Sequence, residues 1–134
     1  MHAQDIRLRQ RSDCPIASAL DILGDKWTLL ILRYLLMDGK TLYGEFLKSG
    51  EGIATNILAN RLERMEACGL ITRSPYQAAP ARYQYRVTRM GADLLPVLAE
   101  IIRWSNRHIP GTNRPPNGFI EELAKQWAGT RLRE

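Results

Sequence analysis

The chain is poor in the residues that most often bind metals or close disulfides, with two cysteines, Cys14 and Cys68, and two histidines, His2 and His108, among 134 residues. Neither cysteine has a further Cys or His at ligand spacing, so a zinc site and a disulfide framework are both excluded as expectations. No cofactor is expected, and a reducing cytoplasm is the expected setting. The Gly-rich loop that cradles phosphate ahead of a helix is missing. So are an ordered Ser/His/Asp set and a carboxylate pair in an apolar setting, which argues against an enzyme. The longest apolar run, residues 27–37, is interrupted by Thr28, Arg33 and Tyr34. It falls short of the ~20 residues that a membrane span needs, so no membrane partner is expected. No apolar segment with a small-residue cleavage site follows the N-terminus, so no secretory signal is expected. Repeats and low-complexity segments are also missing.

What remains has a globular balance, 45% hydrophobic and 25% charged, in a length that suits one hydrophobic core. The net charge is +5, and its distribution is uneven. Residues 53–89 hold Arg61, Arg64, Arg73, Arg82, Arg86 and Arg89 against Glu63 and Glu66, so most of the excess positive charge lies there. A surface that binds phosphates requires such a concentration.

Residues 1–13 place Arg7, Arg9 and Arg11 in alternation with Ile6, Leu8 and Gln10. They read either as an arm of strand-like period or as a solvated terminus. Pro15 marks the first turn of a helix capped by Asp13 or Cys14, with Ile16, Leu20 and Leu23 on one face and Gly24 at its end. Asp25 can cap a second helix over residues 26–37. That helix is apolar nearly all round and so should be buried on all sides. Thr41 can cap a short helix that turns Phe46 and Leu47 inward. The spacing then predicts a helix over 54–68, closed by Gly69. Leu58, Leu62 and Met65 form its buried stripe, and Thr55, Asn56, Ala59, Asn60 and Glu63 form its outer face.

Two β-compatible segments follow, 70–74 and 83–87, separated by a loop that contains Pro75 and Pro80. Arg73, Arg82 and Arg86 should give this hairpin a basic edge. Thr88 caps a helix over about 89–107, within which Pro96 demands a kink or a later start. Its residues Leu94, Val97, Leu98, Ile101, Ile102 and Trp104 make a stripe broad enough for a dimer seam. A Pro/Gly/Asn linker covers 110–118, and a last amphipathic helix covers 119–128. Trp27, Trp104 and Trp127 are read as packing anchors ahead of pocket lining.

This order of elements is that of a winged helix-turn-helix, mainly α with a small β-hairpin wing. The expected divisions are an N-terminal arm (1–13), a DNA-binding domain that includes the dimerisation helix (14–108), and a linker with a C-terminal amphipathic helix (109–134). The residues also resemble the HxlR-type transcriptional regulators, distant relatives of the MarR type. The resemblance is carried by CPIASALDILGDKWTLLILRYLL from Cys14, by Gly44-Glu45-Phe46, by GIATNILANRLERMEACGLITR from Gly52, and by the Pro80–Tyr85 segment. It continues through Val87-Thr88-Arg89-Met90-Gly91, Leu95-Pro96-Val97-Leu98 and Trp104. It implies a homodimer on a near-palindromic operator of double-stranded DNA, with a recognition helix on 54–68 and a wing on about 71–87. The chain departs from the family pattern at Ala54, where Ser is usual and whose loss removes a side-chain cap. It departs also at Ala59, and in the wing at Ala81, Tyr83 and Gln84.

The residues expected to contact DNA are Thr55, Asn56, Ala59, Asn60, Arg64, Arg73, Arg82 and Arg86, with Arg82 foremost in the wing. Asn can pair with both hydrogen-bonding atoms on the major-groove edge of adenine. Arg61 lies beside the apolar stripe, where Glu45, Glu66 or a phosphate could pair with it. Cys14, at a helix N-terminus, lies near backbone N–H groups that favour an anion. Some members of the resembled family sense oxidants or electrophiles through this cysteine, so an oxidant or small-molecule effector is one expectation for it. The other is a small buried hydrophobe. Against the DNA-binding reading as a whole stands a winged helix used only for protein–protein contact.

Overall fold

The computed structural model describes residues 12–132. The expected arm therefore falls almost wholly outside the described residues, as does Arg11. The centre of the fold is the apolar helix anticipated from residues 26–37. Helix α1 spans Pro15–Leu23 and α2 spans Thr28–Leu36. Ile31, Leu32, Tyr34, Leu35 and Leu36 of α2 are buried. Burial is not complete all round, because Arg33 emerges at the surface and reaches Asp38 at 3.8 Å. Asp25 serves the start of α2 from two residues before its N-cap, accepting hydrogen bonds from the Trp27 and Thr28 N–H groups at 3.0 and 3.1 Å. The first helical residues are thus satisfied by a carboxylate rather than by water.

Helix α3 (Tyr43–Leu47) is a single short turn that seats Phe46 in the core between Tyr34 and Tyr85. Thr41 does not cap it with its hydroxyl. Instead the Glu45 carboxylate accepts from the Thr41 and Leu42 N–H groups at 3.1 and 3.0 Å. Helix α4 (Thr55–Ala67) buries the expected Leu58, Leu62 and Met65. It ends at Gly69, whose φ of +87° is a left-handed conformation that other residues rarely adopt. There the Leu70 N–H bonds the Met65 carbonyl at 2.9 Å and the Gly69 N–H bonds that of Glu66 at 3.1 Å. This paired closure satisfies the last carbonyls and turns the chain sharply into the wing.

The wing is an antiparallel ribbon of β1 (Ile71–Ala78) and β2 (Ala81–Val87). The strands are longer than the sequence suggested, because pairing runs through Pro75 to a turn at Ala79 and Pro80. Pro75 can sit in a strand here since a two-stranded ribbon has edges on both sides, where a missing N–H breaks no ladder. The register shifts between Pro75 and Gln77, leaving Tyr76 as an extra exposed residue. At its root the ribbon is pinned by the Tyr85 N–H, which bonds the Thr41 carbonyl at 2.8 Å.

The helix drawn from 89 is in fact two, α5 (Arg89–Ala92) and α6 (Leu95–His108), with Pro96 in the first turn of the second. Proline is tolerated there because first-turn N–H groups have no intrahelical partner. Thr88 caps α5 as expected, accepting from the Gly91 N–H at 3.1 Å, and its hydroxyl donates to the Gly69 carbonyl at 2.6 Å. Helix α7 (Phe119–Ala128) folds back on the body, where Leu123 joins the core and the Trp127 indole donates to the Leu36 carbonyl at 3.0 Å.

Candidate nucleic-acid interface

Thr55, Asn56, Ala59 and Asn60 are all exposed on α4. At the 100° per residue of an α-helix they span about 140° of its circumference, from Thr55 beside the Leu62 edge of the buried stripe round to Asn60. Helix α4 is held from behind at three points. The Tyr43 hydroxyl donates to the Thr55 carbonyl at 2.9 Å. Arg64 reaches the Asp21 carbonyl at 3.4 Å, and Arg61 Nε donates to Asp25 Oδ2 at 2.8 Å. Arg61 therefore pairs with neither Glu45 nor Glu66. Glu45 is spent on the start of α3, and Glu66 pairs with Arg73 at 3.4 Å.

The Asp25 carboxylate is the electrostatic anchor of this arrangement. Burial alone would raise its pKa, but hydrogen bonds from Thr28, the Trp27 N–H and Arg61 outweigh that penalty and bring it from 3.8 to about 2. Asp25 was expected only as a helix cap. Its second role depended on helices 36 residues apart in sequence meeting in space, which no local pattern encodes.

The three wing arginines do not form one basic edge. Side chains alternate across a strand, and the pairing of Arg73 with Tyr85 puts Arg73 on the inner face of the ribbon. Its guanidinium lies 4.3 Å from the centre of the Tyr83 ring, beside Glu66. Arg82 and Arg86 lie on the opposite, open face, both exposed, with Arg86 donating to Gln84 at 3.3 Å. Tyr76, exposed at the bulge near Arg82, is a candidate contact that sequence reasoning missed, since the strand was expected to end before it.

The broad stripe on α6 resolves into two faces. Leu98 is 7% exposed and belongs to the protomer's own core with Leu95 and Ala99, so it is not free to form a dimer seam. Leu94 and Ile102 are half-buried. Val97, Ile101 and Trp104 are exposed at i, i+4 and i+7, with Trp104 60% accessible. On α1, Ile16 and Leu20 are also exposed, an apolar surface that isolated scatter does not explain. Trp127 lies in a groove of about 430 Å³ between α6 and α7, lined also by Leu95, Pro96, Ala99, Ile120 and Ala124.

Cys14 is the N-cap residue of α1 and is exposed, with its own N–H bonded to the Ser12 hydroxyl at 3.0 Å. The buried-hydrophobe reading is thereby set aside. Cys68 is half-buried at the end of α4.

A three-helix core, a recognition-type helix and a two-stranded wing define a winged helix-turn-helix. Residues 22–113 match the HxlR-like helix-turn-helix family, and the chain belongs to that family. It is 34% identical over 117 residues to an HTH-type transcriptional regulator of Mycobacterium tuberculosis, covering 87% of this chain and 73% of that one. Among solved structures it is similar to PA1607, described as a transcription factor, with a TM-score of 0.70 and 34% identity over 81% of this chain and 75% of that one. It is also similar to the redox regulator HypR in its oxidised form, with a TM-score of 0.63 and 28% identity over 76% and 99% of the two chains. The protein is thus a transcriptional regulator of the helix-turn-helix type. Among the described residues, no helix is long and apolar enough to cross a membrane.

Proposed function

We propose that the chain binds a near-palindromic operator as a homodimer. The observation that carries this reading is the exposed polar face of α4, braced from behind by Asp25–Arg61 and flanked by the open wing face that carries Arg82 and Arg86. Thr55, Asn56, Ala59 and Asn60 would meet base edges, while Arg82 and Arg86 would meet backbone phosphates or the minor groove. Arg64 and Arg73, engaged by Asp21 and by Glu66 and Tyr83, would position α4 and the wing. The exposed Ile16, Leu20, Val97, Ile101 and Trp104 support pairing of two copies, which would set the recognition helices about one helical turn of DNA apart. Footprinting on intergenic DNA beside the protein's own gene should give a protected site with two-fold symmetry. With ~6–10 phosphates contacted, affinity should fall by ~10³–10⁵ between 50 and 200 mM salt. A salt-insensitive association would favour a protein-binding module instead. Ile101→Glu should shift the protein to monomer in sedimentation velocity and weaken operator binding with it.

The control point in this reading is the Cys14 thiol, which is accessible at a helix N-terminus. A hydroperoxide would form an S–O bond to it as the O–O bond breaks, leaving a sulfenic acid and releasing water or an alcohol. The likeness to a redox regulator supports the assignment. Operator affinity measured before and after treatment tests it, with Cys14→Ser as control. An affinity that peroxide leaves unchanged removes Cys14 from the mechanism.

A further inference from the structure

The side chains that hold α4 in place also constrain one residue on its outer face. Asp25 Oδ2 accepts from Trp27, Thr28 and Arg61, and its Oδ1 accepts from the Thr28 hydroxyl at 2.5 Å. The Asp25 and Arg61 side chains are only 14% and 21% exposed, so the guanidinium is fixed at its Nε end. Its Nη1 then donates to Asn60 Oδ1. Arginine has N–H donors and no acceptor, so the amide atom that faces it has to be the oxygen. Arg61 lies about 100° beyond Asn60 around the helix, on the side away from Thr55 and Ala59. The carbonyl of Asn60 is therefore turned away from the middle of the outer face, and its NH₂ group is left toward it.

We propose that the Asp25–Arg61 pair makes position 60 a donor-only reader that selects guanine. This rests on the operator-binding reading above. An unconstrained asparagine offers an acceptor and a donor together, which match adenine N6–H and N7. Guanine instead presents two acceptors, O6 and N7, at the major-groove edge. With Oδ1 bonded to Arg61 on one of its two lone pairs and turned toward that side chain, what Asn60 presents to the outer face is the N–H pair of Nδ2, and the remaining guanidinium hydrogens beside it are donors too. The local hydrogen-bonding character thus fits guanine and leaves the adenine N6–H without an acceptor. Arg61 and Asp25 are positioning residues in this scheme, and Asn60 makes the contact.

Selection from a randomised duplex library, using the full-length protein, tests the proposal. The base pair read by position 60 is the one whose discrimination disappears in Asn60→Ala. Wild type should favour guanine over adenine there by about tenfold, within the usual range for a single good base contact. Arg61→Met frees Oδ1 and should raise adenine to at least equal guanine at that pair only, with the preferences at other pairs unchanged. A purely structural role for Arg61 would instead weaken all sequences together. Adenine preferred by wild type overturns the proposal. So does a folded Arg61→Met that keeps the wild-type preference, or an Asn60→Ala that alters no position of an enriched site. If Arg61→Met does not fold, the wild-type base at the Asn60-dependent pair decides the matter, guanine for and any other base against. Enrichment of no sequence by wild type overturns the operator reading itself and this proposal with it.

Discussion

Gly91 shows how one residue can hold a turn between two elements. It is buried against Leu70 and Val87 at the root of the wing, and a Cβ added there would collide with the Leu70 carbonyl oxygen, which is backbone and cannot swing aside. That same carbonyl accepts from the Thr88 N–H at 3.0 Å, so a shift would also disturb the cap of α5. Gly91→Ala should destabilise the protein by about 1–3 kcal/mol, read as a lower urea midpoint with an unchanged slope. Asp25 gives a pH-dependent counterpart. Its folded pKa of about 2 lies below the ordinary 3.8, so its contribution is complete above about pH 4 and is lost as the pH falls toward 2. The shift corresponds to stability on the order of 2 kcal/mol. Urea midpoints of wild type and Asp25→Asn should therefore differ at pH 7 and converge as the pH falls from about 4 toward 2. A gap that persists unchanged through that range would mean that Asp25 is not the group responsible.

At the scale of elements, what the sequence revealed depended on how local the determinant was. Helix α4 was expected over 54–68 and is found at Thr55–Ala67, because its apolar stripe and Gly69 are contiguous signals. The capless start was equally legible. Ala54 is the N-cap, with φ −72° and ψ 148° and no side-chain hydrogen bond. Ala54→Ser places a hydroxyl in a backbone already suited to capping and should raise thermal stability by ~1 kcal/mol, and a fall in melting temperature would contradict that geometry. The wing was harder to read, because Pro75 and Pro80 signal a loop wherever partner strands are unknown, and a ribbon edge accommodates them. The division of arginines between its two faces follows from register, which no count of charges contains. On α6, the stripe of apolar positions was identified without Leu95 and Ala99, which are buried in the protomer's own core. One periodicity cannot say which of two neighbours each face meets, so Leu98 was grouped with Val97 and Ile101 although it faces the protomer's own core.

Across the whole molecule, the basic excess and the exposed apolar residues lie on different elements of one fold. Helix α4 balances Arg61 and Arg64 against Glu63 and Glu66, so the basic excess belongs to the wing, and the exposed apolar residues lie on other elements, α1 and α6. The core joins these parts through α2, and the join is completed by α7. The indole hydrogen bond of Trp127 to the Leu36 carbonyl links residues 91 positions apart. Most of the other packing around α2 involves neighbours that are synthesised earlier. Closing so long a loop is entropically costly, so this contact should form after the rate-limiting step of folding. Trp127→Phe, which keeps an aromatic ring but removes the N–H, should then speed unfolding while leaving the refolding rate nearly unchanged in stopped-flow chevrons. A matching loss on the refolding arm would place α7 in the nucleus. On the expected outcome, the last helix acts as a latch on residence time in the native state, and the lifetime of the folded regulator is set by a segment outside α4 and the wing.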